Sequence, residues 1–143
     1  RTGAIDVHHS VARDVLRVLH RLYRSRVAIR RMHPIERYGG SDFRSITADN
    51  TSAFNCRFIA GTRRWSRHAH GRAIDINPRE NPYVSGGRVE HPEIRPFIRR
   101  RPHRQGMAVP GGALVGAFRS VGWGWGGRWR PNPDYQHFSA SGR

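Results

Sequence analysis

Residues 66–75 read Ser66-Arg67-His68-Ala69-His70-Gly71-Arg72-Ala73-Ile74-Asp75. Residues 72–77 alternate in the manner of a β-strand, which places Ile74 on one face and Asp75 on the other, until Pro78 ends the pattern. The glycine before this strand permits a tight turn, so the imidazole of His68 and the carboxylate of Asp75 can converge. The stretch therefore predicts a strand with potential metal ligands at one end.

A second segment, residues 134–138, reads Asp134-Tyr135-Gln136-His137-Phe138 and predicts another strand. Together with His68 and Asp75, His137 completes a set of three nitrogen and oxygen ligands. Catalytic zinc sites use such a set and keep a fourth position for water, whose pKa the metal lowers to about 7. Asp134 is placed to move the proton of that water.

The spacing leaves other interpretations open. Asp75 also suits a strand-end acid bonded to a neighbouring arginine, with His137 as a hydrogen-bonded core histidine. A different ligand set, in which His68 and His70 share a strand face and join His137, is also chemically possible.

The position of Asp134 carries a geometric condition. Residues three apart in a regular strand point to opposite faces, so Asp134 and His137 reach the same water only if Asp134 precedes the strand or lies in a turn. Pro131 and Pro133 favour such a turn.

Length and charge limit the function classes. The 143 residues suit one domain, spanning 1–143, and contain no apolar run long enough to cross a bilayer. All 26 basic residues are arginines, against 10 acidic ones, and the formal charge of +16 favours anionic partners. The arginines are scattered and no nucleic-acid-binding motif is present, so we expect no specific nucleic-acid binding.

The single cysteine, Cys56, excludes a disulfide framework, and we expect it to be a buried thiol.

The remaining periodicities predict helices beside the two strands. Residues 11–23 carry apolar side chains at helical spacing, with Ser10 as the expected N-cap. Residues 112–121 predict a second helix that ends at Gly122. Residues 82–110 show no period and predict a long excursion over the surface. Three tryptophans interleaved with glycines suit either a substrate groove or packing beneath the sheet. These tryptophans are Trp123, Trp125 and Trp129.

The two ligand-bearing segments resemble the VanY-like D-alanyl-D-alanine carboxypeptidase family of zinc metallopeptidases. Residues 66–75 match its first zinc motif, SxHxxGxAxD, and residues 134–138 match its second, in which an acid precedes the last zinc histidine by three residues. Residues 50–57, 74–83 and 122–127 resemble further blocks of the branch that includes phage-type L-alanyl-D-glutamate endopeptidases. The ordered blocks span most of residues 10–138.

The resemblance implies a role for each candidate site residue. The ligands of one zinc ion per chain would be His68, Asp75 and His137. Asp134 would act as general base and then as general acid. Arg57 resembles the family arginine that holds the scissile carbonyl or a substrate carboxylate, a role that suits a guanidinium. Ser66 would support the site and its substrate through a hydrogen bond, although a simple turn serine also fits its position.

Two positions depart from the common family pattern. His70 stands where such sequences commonly carry an aromatic or aliphatic residue, which leaves an alternative or second metal site open. Asp134 stands where many relatives carry glutamate, and aspartate is typical of the endopeptidase-like branch. The resemblance therefore leaves carboxypeptidase and endopeptidase activity both open.

The fold implied by the resemblance is an α+β domain with a small antiparallel sheet that carries the zinc site and is flanked by helices. The implied function is hydrolysis of an amide bond in the peptide stem of bacterial peptidoglycan, and the alternative is a non-catalytic zinc-containing module that binds the cell wall, as hedgehog-type domains of this fold allow. We expect a monomer in the bacterial envelope or outside the cell, retained there by anionic wall polymers. Because the chain begins with Arg1, we also expect that an upstream segment has been removed.

Overall fold

The computed structural model describes residues 2–59 and 61–142. Its α-helices are α1 (Ala12–Arg24), α2 (Asp42–Thr47) and α3 (Ala113–Arg119). Its strands are β1 (Arg31–Met32), β2 (Asn50–Thr51), β3 (Ala73–Asp75), β4 (Gly124–Trp125) and β5 (His137–Ser139). Its 3₁₀-helices are His9–Val11, Ile35–Tyr38, Arg67–His70, Pro92–Ile98 and Gly126–Arg128. The predicted α+β class is confirmed.

The central sheet has three antiparallel strands in the order β3-β5-β4. Ile74 lies opposite Phe138, and the next pair places Asp75 opposite His137. Because successive side chains of a strand point to opposite faces, one face of the sheet carries the apolar pair and the other carries the polar pair. Both strands are shorter than predicted, and β5 begins only at His137. A two-stranded parallel pair, β1 with β2, was not predicted from the sequence.

Helices α1 and α3 pack together on the apolar side of the sheet. Phe138 of β5 stacks on Phe118 of α3 with ring centroids 4.1 Å apart. Helix α1 contributes its buried stripe to the same cluster. This stripe consists of Val15, Val18 and Leu22. The core therefore supports β5 from the face opposite the polar pair.

The predictions made for Ser10, Gly122 and Cys56 have different outcomes in the structure. Ser10 is not the N-cap of α1, because residues 9–11 already form a 3₁₀ turn whose cap is His8, which accepts a hydrogen bond from the Ser10 amide at 3.2 Å. Gly122 does form the turn after α3, with a left-handed φ of 80°. The prediction of a buried thiol at Cys56 is wrong, because residues 56–59 run along the rim of a surface cleft and leave the cysteine exposed.

The segment 82–110 is more closely attached to the core than the prediction of a surface excursion implies. Arg100 donates from its guanidinium to the Glu80 carbonyl and to Asn81 Oδ1, both at 2.6 Å, and to the Ala108 carbonyl at 2.8 Å. The same guanidinium lies 4.4 Å from the centroid of the Tyr135 ring. One half-buried arginine thus attaches this aperiodic segment to the strand region.

Two buried carboxyl groups, of Asp49 and Glu80, meet below the loop that follows β3. Asp49 Oδ1 accepts a hydrogen bond from the Arg79 amide at 3.0 Å, and Glu80 Oε1 accepts from Arg30 Nε at 2.9 Å. Burial, and next the neighbouring charge of Glu80, raise the pKa of Asp49 to about 6. Asp49 therefore binds its proton more tightly in the folded protein than in the unfolded chain.

A pH-dependent stability follows from this raised pKa. The contribution of Asp49 is fully present below its unfolded pKa of about 4 and is lost as the pH rises through its folded pKa of about 6. Asn in this position keeps the Oδ1 acceptor, tolerates the left-handed φ of 55° and carries no charge. We expect Asp49→Asn to raise Tm relative to wild type more at pH 8 than at pH 5, as measured by circular dichroism.

The control for this experiment is Glu36→Gln, which neutralises an exposed carboxylate. Its Tm difference from wild type should be the same at both pH values. An equal offset for Asp49→Asn at pH 5 and pH 8 contradicts the raised pKa of Asp49 in this buried pair.

Candidate metal centre

Three side chains converge above the polar face of the sheet. His68 Nε2 lies 3.2 Å from His137 Nδ1 and 3.2 Å from Asp75 Oδ2, and His137 Nδ1 lies 3.2 Å from Asp75 Oδ1. All three residues are buried. Among the residues that the structure describes, they form the one group of histidine, cysteine and acidic side chains that could hold a metal ion.

The backbone around His68 fixes the orientation of its ring. Ser66 caps the 3₁₀-helix Arg67–His70, and its hydroxyl accepts a hydrogen bond from the His68 amide at 3.3 Å. His68 Nδ1 donates to the Ala53 carbonyl at 2.7 Å, which leaves the lone pair of Nε2 directed at the other two side chains. A serine at this position thus has a structural role, and the histidine tautomer suits metal binding.

Electrostatics keep the Asp75 carboxyl ionised. Burial alone would raise the pKa of Asp75, but the charges and hydrogen bonds of His68 and His137 outweigh it and hold the pKa far below its usual range. Burial would likewise lower the pKa of His68, and the Asp75 carboxylate outweighs it and raises that pKa. These mutual attractions hold the three side chains together.

The same triangle of atoms fits a metal ion. Tetrahedral zinc binds nitrogen and oxygen at about 2.0–2.1 Å, so its ligand atoms lie about 3.3 Å from one another. His68 Nε2 and His137 Nδ1 lie 3.2 Å apart, close to this value, and each lies 3.2 Å from a different oxygen of Asp75. Two imidazoles and one carboxylate are also a ligand set that catalytic zinc sites use. The residues present therefore fit zinc or a similar divalent ion.

Asp134 meets the geometric condition set by the sequence. It precedes β5, and the His137 amide donates to the Asp134 carbonyl in a turn at 3.4 Å. Its Oδ1 atom is buried without a hydrogen-bond partner. Burial, and next the charge of Asp75, raise the pKa of Asp134 to about 7, against the opposing charges of His137 and Arg57. Asp134 can therefore exchange a proton near neutral pH.

His68, His137 and Asp134 line a cleft of about 380 Å³. Arg57 reaches it from the segment after β2, with Nη2 3.2 Å from Asp42 Oδ2 and a buried Nε that has no partner. Trp129 also lines the cleft. Trp123 and Trp125 are buried in the core instead, as expected for tryptophans that pack beneath the sheet.

His70 does not belong to the site. It lies on a 3₁₀-helix rather than on the strand face that the alternative ligand set requires, and its exposed side chain lines a different depression beside His8. The set of His68, His70 and His137 is therefore not assembled.

Sequence reasoning missed several residues of the cleft wall. Most of their segments have no periodicity and lie far apart in the chain, so no local pattern could have grouped them. Gln136 lies within a quoted motif and Tyr83 at the end of a quoted block, but neither position was assigned a role. These residues are Asp42, Ile46, Tyr83, His91, Ile94 and Gln136.

An α+β domain that holds a buried His-Asp-His group beside an unpaired carboxyl group defines a candidate metal-dependent hydrolase. A protein-family model described as D-alanyl-D-alanine carboxypeptidase matches residues 60–140, which is more than half of the chain. The chain therefore belongs to the D-alanyl-D-alanine carboxypeptidase family, whose members are metallopeptidases, and it is a peptidase. No curated protein and no solved structure matches the chain significantly. The matched range includes the His-Asp-His group and Asp134, while Arg57 lies just before it.

Metal binding provides a direct test of this centre. We expect wild-type protein dialysed against Zn²⁺ to retain one ion per chain, as measured by mass spectrometry of its metal content. Asp75→Asn preserves the shape of the side chain but removes its charge, so zinc affinity should fall at least about 100-fold. His70→Ala is the matched control, because this neighbouring histidine points away from the site, and it should bind zinc like the wild type. Equal zinc affinity of Asp75→Asn and wild type contradicts the assigned ligand set.

Proposed function

We propose that this protein is a zinc-dependent peptidase that hydrolyses an amide bond in the peptide stem of bacterial peptidoglycan. The observation that carries the proposal is the triangle of His68, Asp75 and His137 in a cleft that also contains the unpaired carboxyl group of Asp134. Membership of the D-alanyl-D-alanine carboxypeptidase family supports the substrate class.

In this proposal His68, Asp75 and His137 hold one zinc ion. A zinc ion in such a site supplies a lowered pKa for a bound water and polarises the substrate carbonyl. The Asp75 carboxylate contributes the negative charge that partly neutralises the ion. The hydrogen bond from His68 Nδ1 to the Ala53 carbonyl places the proton of the neutral ring on Nδ1, so Nε2 is the nitrogen that would bind the ion.

Asp134 is the proposed proton carrier. As a carboxylate it accepts a proton from the attacking water, and as a carboxylic acid it then donates that proton to the leaving amine. A pKa raised to about 7 lets both forms be populated near neutral pH. The unpaired Oδ1 atom leaves one carboxyl oxygen available for this exchange.

Arg57 is the proposed electrostatic partner of the substrate. Asp42 holds its Nη2 at 3.2 Å, and Asn55 in turn donates to Asp42 Oδ1 at 3.2 Å, so the guanidinium is fixed at the cleft while its Nε stays unpaired. A fixed guanidinium suits the developing charge on a carbonyl oxygen or the charge of a substrate carboxylate. Ser66 contributes through the cap that orients His68.

Digestion of defined muropeptides followed by mass spectrometry tests the proposal. Zinc-loaded wild-type protein should release either a terminal D-alanine or a fragment cut within the stem, and the product masses identify the bond. Failure of correctly folded, zinc-loaded protein to cut any stem peptide contradicts the proposed function.

Asp134→Asn separates catalysis from metal binding. We expect this variant to keep its zinc and its fold but to lose about 100- to 10,000-fold in kcat, because an amide cannot accept the proton. Asp14→Asn, on the outer face of α1, should match wild type in the same assay. Undiminished turnover by Asp134→Asn rules out this residue as the proton carrier. Wall binding by wild-type protein without turnover favours the alternative, a non-catalytic wall-binding module.

We propose that the protein acts as a monomer in the bacterial envelope or outside the cell, where its formal charge of +16 retains it on anionic wall polymers. Across the described residues, no helix has the length and apolarity needed to span a bilayer. Retention by charge should weaken with salt, because ions screen exposed charges. We expect binding to purified walls, measured by sedimentation, to fall steeply between about 0.05 and 0.5 M NaCl. Binding that is unchanged over this range contradicts retention by charge.

A further inference from the structure

Unpaired polar atoms are concentrated in the cleft beside the metal centre. Within residues 2–59 and 61–142, seven buried side-chain nitrogen and oxygen atoms have no hydrogen-bond partner, and five of them belong to residues that line this cleft. Burying a polar atom without a partner is costly, so such atoms commonly mark the place of a ligand. The five residues are Arg57, His91, Asp134, Gln136 and His137.

His91 is the member of this set that lies farthest in sequence from the residues already assigned a role. It is 4% exposed and directly precedes the 3₁₀-helix Pro92–Ile98. One face of its ring stacks on Phe43 of α2, with centroids 4.4 Å apart. Its Nδ1 lies 3.7 Å from Glu93 Oε1, and its Nε2 has no partner. The ring is thus held in place while one nitrogen stays free at the cleft wall.

The surroundings of His91 suit a peptide. The cleft that His91 lines combines apolar side chains with a few separate polar groups on its wall, as is typical of pockets that fix the orientation of a ligand. The apolar residues of this wall are Ile46, Ile59, Tyr83, Ile94 and Trp129. A stem peptide offers small apolar side chains for such a wall, and amide groups and carboxylates for the polar positions. An imidazole nitrogen can pair with either polar group, because it accepts or donates according to its protonation.

We infer that His91 is a substrate-binding residue whose Nε2 forms a hydrogen bond with a polar group of the stem peptide. This inference rests on the proposed function, since it assigns a contact to the peptide cut at the same site. His91 takes no part in proton transfer or metal binding, so its loss affects peptide affinity more than the chemical step.

Steady-state kinetics with one defined stem peptide test the inference. His91→Phe keeps a ring that can stack on Phe43 but removes both nitrogens, so we expect KM to rise about 3- to 10-fold, which is the worth of one hydrogen bond, with kcat within about twofold of wild type. His91→Gln places an amide near the position of Nε2 and should restore most of the affinity. His20→Phe, on the exposed face of α1, is the matched control and should equal wild type.

A second measurement does not depend on turnover. In the Asp134→Asn background the peptide stays uncut, and adding His91→Phe should raise its Kd by the same factor as KM, with zinc content and Tm unchanged. His91→Leu serves in both measurements if His91→Phe does not fold.

The outcomes separate this inference from the proposed function. Normal cleavage by wild type together with unchanged KM and Kd in His91→Phe overturns the role of His91 and leaves the proposed function standing. Equal impairment of His91→Gln and His91→Phe, accompanied by a lower Tm, shows a structural role and also overturns the inference. A wild-type protein that neither binds nor cuts stem peptides contradicts the proposed function, and this inference with it.

Discussion

The pairing of Asp75 with His137 across β3 and β5 is the constraint on which the site depends. In the same two strands, Ile74 lies opposite Phe138. The side chains of this pair lie on the other face of the sheet and pack against α1 and α3. A shift of β3 by one residue against β5 would break both pairs and would turn the Asp75 carboxylate toward the core. The free energy of burying the apolar pair therefore also fixes the positions of two of the three candidate metal ligands.

The third ligand depends on a close approach of two segments. Gly71 follows the 3₁₀-helix that carries His68 and has a left-handed φ of 60°. A Cβ atom at this position would lie 2.7 Å from the backbone nitrogen of His8, so a larger residue would push the N-terminal segment away. Ser66 caps the other end of the same helix. The short motif around His68 therefore contains one candidate ligand together with Ser66 and Gly71, which set its position.

Site residues could be predicted from the sequence where they lie in a short stretch that also determines its own local structure. The convergence of the three candidate ligands could be predicted because each lies in a motif with turn residues and alternation beside it. The opposite wall of the cleft could not, because Asp42 and His91 come from segments whose positions are set by tertiary contacts. Arg100 illustrates the difference, since its hydrogen bonds attach residues 82–110 to the core and no periodicity reveals them. The exposure of Cys56 likewise depends on the course of the cleft rim.

The two aspartates of the site, Asp75 and Asp134, have pKa values that their surroundings shift in opposite directions. Asp75 faces two imidazoles, and their charges and hydrogen bonds outweigh its burial, so it stays ionised and suits a cation. Asp134 has a buried oxygen without a partner, and the charge of Asp75 adds to its burial, so its pKa rises to about 7. Carboxyl groups whose pKa values are driven apart in this way are the usual basis for assigning one to electrostatics and the other to proton transfer. In the proposed mechanism the ionised Asp75 would therefore attract the metal ion, and its charge also raises the pKa of Asp134.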